Sequence, residues 1–217
     1  MKNALFIFVA ALTFWATAPF SYAQNLAPRK QFESNFDIGT GLFVETGNAG
    51  SREKPGLALR LSYGLDIALD GKWSLMPGFG TKAQLSEFFH SGLFGYVGGD
   101  DDEMLIGDVF CLARYRYQLI DGKTAVVGLG PQISYMIVPD RYYYDADPRD
   151  PINNKEKFHR WDIGLQPSFV ILSGRHFQWG LNAVIGLRNM MLQYPYHSWT
   201  TGSIYLHNIL FTVGWRF

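Results

Sequence analysis

The chain has 217 residues, 47% hydrophobic and 16% aromatic, with 19 basic side chains against 19 acidic ones. That balance leaves no basic field for nucleic acid, and the single cysteine, Cys111, allows no intramolecular disulfide. Mean hydropathy is near zero, and nothing beyond the first 23 residues reaches the ~18 apolar residues of a membrane helix. A membrane barrel escapes that exclusion, because half of each of its strands faces away from lipid.

Residues 1–23 read as a signal peptide. Lys2 gives a positive start, Ala4 to Ala18 an apolar run, and Ser21-Tyr22-Ala23 small residues at the expected cleavage positions. No cysteine stands directly after that site, so a lipoprotein anchor is not expected. Residues 24–217 then form one domain of ordinary size, beginning with an irregular lead-in over 24–35.

The first strand is expected over Phe36 to Glu45. A loop rich in Gly, Asn and charge runs from Thr46 to Pro55. Leu57 to Leu69 is the clearest strand in the chain. Its odd positions, Leu57 through Leu69, are all apolar, and its even positions, including Arg60, Ser62 and Asp66, are small, polar or charged. At about 3.3 Å per residue such a strand crosses a membrane on a tilt, which takes roughly 9–11 residues. Asp70-Gly71-Lys72 follows as a tight turn, with Gly71 expected to supply a positive φ.

The same unit recurs. A third strand is expected over Trp73 to Phe88, and a fourth over Met104 to Leu119, separated by a loop with the acidic run Asp100 to Glu103. Asp121-Gly122-Lys123 repeats the tight turn, and Thr124 to Val138 is the fifth strand. The longest loop runs from Pro139 to Phe158. The sixth strand spans His159 to Leu172, with Ser173-Gly174-Arg175 as the third tight turn. The seventh is expected over His176 to Met190 and the eighth over Gly202 to Phe217. Three tight turns thus alternate with four longer loops. Pro77, Pro131 and Pro167 fall inside strands, where a missing N–H predicts bulges.

Alternation alone does not say which face is outside. Four observations assign the apolar face to lipid. The opposite face collects Arg60, Asp66, Lys82, Asp108, Arg114, Arg116, Arg160, Asp162, Arg188 and Arg216. Glycines crowd that same face, as the narrow interior of an eight-stranded barrel needs. Short turns and long loops segregate to opposite ends. Aromatics on the apolar face form two girdles, Trp73, Tyr115, Tyr117, Phe177, Trp179, Trp215 and Phe217 toward the tight turns, and Tyr135, Trp161 and Tyr205 toward the long loops. The expected fold is all-β, an eight-stranded antiparallel up-and-down transmembrane β-barrel, with Cys111 facing lipid.

With these features the chain resembles the small bacterial outer-membrane β-barrel proteins, and most nearly those of Bacteroidota, including PorT-like ones. The final Val213-Gly214-Trp215-Arg216-Phe217, with an aromatic last residue, resembles the signal by which the barrel-assembly machinery takes its clients. The resemblance implies residence in the cell outer membrane, with outer-membrane lipid and that machinery as partners.

No catalytic, cofactor-binding or metal-binding residue is assigned. His90-Ser91 and His197-Ser198 suggest a lipid A-modifying enzyme. In an extended chain, however, neighbouring side chains point to opposite faces and cannot form a nucleophile–base pair. The spacing of the lipid A deacylases, one residue between His and Ser, is also missing. Asp100 to Glu103 and Asp145, Asp147 and Asp150 fit no EF-hand spacing and read as solvated loop charge. Tyr142-Tyr143-Tyr144 reads equally as a contact surface or an interfacial anchor. The interior charges read as a plug of salt bridges. The leading expectation is a porin-like but non-enzymatic envelope protein that displays loops for envelope structure, adhesion or an envelope or secretion complex, with an envelope protein as possible loop partner. A lipid A-modifying enzyme and a soluble exported barrel around a small hydrophobic ligand stay open as alternatives.

Overall fold

A computed structural model of the protein describes residues 31–47, 56–85, 103–119, 123–138, 159–190 and 203–217. They form eight strands, β1 (Phe32–Gly47), β2 (Gly56–Ala68), β3 (Trp73–Leu85), β4 (Glu103–Gln118), β5 (Thr124–Val138), β6 (Trp161–Ser173), β7 (Phe177–Gly186) and β8 (Ile204–Arg216). Each strand pairs antiparallel with the next, and β1 pairs with β8 to close the barrel. Period-two alternation is what makes closure stable, because every strand presents one face to each side of a single curved sheet.

The faces fall as the alternation requires. Phe79, Val109 and Ile209 are 60%, 54% and 58% exposed, while Arg60, Asp66 and Lys82 are 3%, 1% and 2% exposed. Cys111 is on the outer face. The aromatics of each girdle meet across neighbouring strands. Trp73 and Tyr115 have ring centroids 4.9 Å apart, Phe177 and Trp215 5.6 Å, and at the other end Tyr135 and Trp161 4.7 Å. The register puts each of these pairs directly opposite one another.

Three local expectations are corrected. β1 begins at Phe32, so the irregular lead-in does not reach Asn35. The alternation already runs through Phe32, Ser34 and Phe36, and Glu33 pairs in register with Asp66. In the first tight turn Gly71 has no positive φ; among the turn glycines described, only Gly174 does, at 64°. Asp70 shapes that turn instead, its Oδ1 accepting the N–H of Lys72 at 2.7 Å and of Trp73 at 2.5 Å.

The prolines, finally, make no bulges. Pairing of β2 with β3 lapses between Gly64↔Gly78 and Ile67↔Leu75, beside Pro77, and resumes in the same register. The same happens beside Pro131 between β4 and β5, and beside Pro167 between β6 and β7. A proline lacks one donor, so it loses rungs toward one neighbour. Toward the other it stays paired, Pro77 with Cys111, Pro131 with Leu165 and Pro167 with Leu129. The one register shift between β4 and β5 lies at Leu105/Ile106, near the long loops.

Strand ends differ modestly from the expected ones. β7 stops at Gly186 rather than Met190, although Leu187 N–H still donates to Ile163 O and Met190 N–H to Ile204 O. The signal segment, the turn at Gly122, and the segments holding His90-Ser91, Asp100 to Asp102, Tyr142 to Asp150 and His197-Ser198 lie outside the described residues.

Candidate functional site in the charged interior

The inward positions bring charges from separate strands together. In register, Arg60 of β2 lies opposite Lys82 of β3, and Glu33 of β1 opposite Asp66 of β2. Both are like-charge pairs, which alone would destabilise the sheet. Each is relieved by a residue of β4. Arg60 Nη2 reaches over β3 to Asp108 Oδ1 at 2.7 Å. Arg116 Nη2 bridges Glu33 Oε2 at 2.5 Å and Asp66 Oδ2 at 3.2 Å, and Arg114 Nη1 meets the same Asp66 oxygen at 3.0 Å.

Small side chains on β3 make these reaches possible. Gly78 and Gly80 sit between β2 and β4, opposite Phe110 and Asp108. A Cβ at Gly78 would come within 2.4 Å of the Phe110 ring. That ring in turn lies under the Arg60 guanidinium, 5.1 Å from its centroid, a cation–π contact. Further polar pairs cross the interior. Gln178 donates to Asp37 at 2.7 Å, Gln84 to Asn208 at 2.8 Å and Asn182 to Thr212 at 2.9 Å.

Buried charges of this kind persist only when paired. Of the ten inward charges read from the alternation, eight are buried inside, from Arg60 to Arg216. Arg160 and Arg188 instead sit half-buried at the long-loop rim, just outside β6 and β7. Glu33 went unread because it lay in the assumed lead-in, although it accepts from Arg116 and lies 3.7 Å from Arg216.

The interior is not polar throughout. At its long-loop end Phe43, Met104, Ile106, Met136, Leu206 and Leu210 belong to one buried apolar cluster. Beside that cluster a cavity of about 10 Å³, room for one water, is lined by Lys82, Ser134, Arg160, Asp162 and Asn208 together with members of the cluster such as Met136. Among the described residues, no group of three His, Cys, Asp or Glu side chains is placed to hold a metal ion.

The outer wall is predominantly apolar, and the buried charges lie on the interior face. A soluble monomer rarely shows an apolar patch larger than a few hundred Å², and a soluble barrel for a hydrophobic ligand would have the reverse polarity. This is a membrane barrel.

No family model matches the sequence, and no curated protein matches it. Among solved structures the chain is similar to Ail, the attachment invasion locus protein of Yersinia pestis, at 10% identity and a TM-score of 0.47, over 87% of this chain and all of Ail. The same protein in complex with the heparin analogue sucrose octasulfate gives the same figures. The outer membrane protein OprG from Pseudomonas aeruginosa is similar at 10% identity and a TM-score of 0.44, over 86% of this chain and 96% of that one.

Proposed function

We propose that the protein resides in the outer membrane as a non-enzymatic barrel that displays its long loops outside the cell, in envelope structure, adhesion or an envelope complex. The observation that carries this reading is the inside-out polarity, with Leu59, Leu61, Phe79, Val109 and Ile209 on the outer wall and paired charges within. Two aromatic girdles bound that wall at the depths where amphipathic rings meet headgroups. The non-enzymatic part is supported by the engagement of Arg60, Arg114 and Arg116 with Asp108, Asp66 and Glu33. The barrel-assembly machinery is the proposed partner of β8 through its end at Phe217. The finer kinship, with the β-barrel proteins of Bacteroidota, is proposed on architecture alone.

Carbonate extraction of membranes from expressing cells, with unheated and heated samples compared on a gel, tests the placement. The protein should stay in the outer-membrane fraction and run faster unheated. Release by carbonate would overturn the membrane reading. Lipid A mass profiles from cells with and without the protein should be identical, and a change would overturn the non-enzymatic one.

A further inference from the structure

The cavity beside the apolar cluster holds two groups whose bonding is incomplete. Lys82 is 2% exposed on β3, with Asp108 and Asp162 as its facing acids and Arg60 as its facing cation. It makes no direct ion pair among the described residues: Asp108 Oδ1 is engaged by Arg60, and Asp108 Oδ2, which has no hydrogen-bond partner among them either, belongs to a side chain that does not line the cavity. Asp162 is 6% exposed on β6, and its Oδ1 has no hydrogen-bond partner among the described residues. Both side chains line the cavity. β3 and β6 are not neighbours, since β4 and β5 lie between them. A buried ammonium and a buried carboxylate oxygen left this way are each costly.

Two further cavity-lining groups can supply bonds. Asn208 Oδ1 accepts from Gln84, which leaves its amide N–H₂ to donate. Ser134 Oγ accepts from Gln132 at 2.9 Å, which leaves its hydroxyl proton to donate. Arg160 completes the polar lining.

An occupant must therefore accept from Lys82 and donate to Asp162 within about 10 Å³. A halide accepts but cannot donate, and a metal ion does neither. A sugar or an amino acid is too large. Water meets every condition, and polar cavities of this size hold one with two to four partners. We infer that a single ordered water joins Lys82 to Asp162, forming a solvent-mediated brace across the barrel from β3 to β6.

A crystal structure of the refolded wild-type barrel, at a resolution that shows ordered solvent, tests this directly. One solvent peak within hydrogen-bond distance of both Lys82 Nζ and Asp162 Oδ1 is expected. A dry cavity, a direct Lys82–Asp162 contact, or a halide or metal ion in that place would overturn it. Urea midpoints of Lys82→Met, Asp162→Leu and the double variant supply a second measurement. The double variant should lose less than the sum of the two single losses, because it removes both ends of the brace together. Strictly additive losses would overturn the coupling.

Discussion

The two halves of the barrel interior have different centrepieces. Toward the tight turns, Arg114, Arg116 and Arg216 share the two carboxylates of Asp66 and Glu33. Toward the long loops, Met104, Met136, Leu206 and Leu210 pack as an apolar cluster beside the Lys82 cavity. The outer wall is apolar along both halves, so lipid places no difference between them. What differs is the largest feature of each half, a shared ion-pair network against an apolar cluster, although Val126, Val170 and Leu172 also pack toward the tight turns and Arg60, Lys82, Asp108 and Asp162 lie in the other half.

Substitution separates the halves. Asp66→Ala strips Arg114 and Arg116 of a shared acceptor and should cost about 3–5 kcal/mol, the cost of breaking a buried pair, read as a lower urea midpoint in detergent micelles. Leu210→Ala, at a fully buried position in the apolar cluster, should cost about 2–5 kcal/mol through the cavity it leaves. Leu210→Met should cost less than about 1.5 kcal/mol, because volume is kept. If Asp66→Asn proved as mild as Leu210→Met, the supposed difference between the halves would be gone.

The wall common to both halves provides the next test. Leu61→Arg puts a charge on the lipid face of β2 and should cost about 2–4 kcal/mol near the midplane in lipid vesicles. A neutral result would mean that this face does not meet hydrocarbon.

The smallest effect is set by pH at the long-loop rim. Partial burial, aided by nearby Arg188, holds the His159 imidazole below its ordinary pKa of 6.5. The unfolded chain thus binds the proton more readily than the folded one just below pH 6.5, and stability declines as pH falls through that window. His159→Gln should lessen this slight slope in a series of urea midpoints between pH 7.5 and 5.5, bounds about a unit either side of an ordinary histidine. An unchanged slope would show that His159 is not its source.

Most of the wall was legible in the sequence, because period two is set by the backbone and appears wherever one face meets lipid. Leu57 to Leu69 separated its two faces without help, and the charges, glycines, loop lengths and aromatics then said which one is outside. The interior was less legible, for two reasons. Met104, Ile106, Phe110 and Leu112 alternate with Leu105, Val109 and Cys111, so much of β4 is apolar on both sides, and Asp108, Arg114 and Arg116 alone mark its inward face. Arg60 and Asp108 are 48 residues apart and meet only because Gly80 leaves room between them. The proline bulges failed because a strand residue directs its hydrogen bonds to one neighbour. The ladder can therefore drop rungs there and hold register through the other.

Pairing of β1 with β8 has a consequence for how the barrel comes into being. Every other seam joins strands adjacent in sequence, while this one runs from Asn35↔Arg216 to Gly47↔Ile204. Its closure carries the largest loop entropy in the molecule and belongs at the end of folding. Until it forms, the sheet has two long raw edges, the kind that recruit other chains into aggregates. A chain stalled before β8 should therefore be hazardous rather than merely inactive, and a factor that shields those two edges until they meet would speed assembly without touching any finished contact.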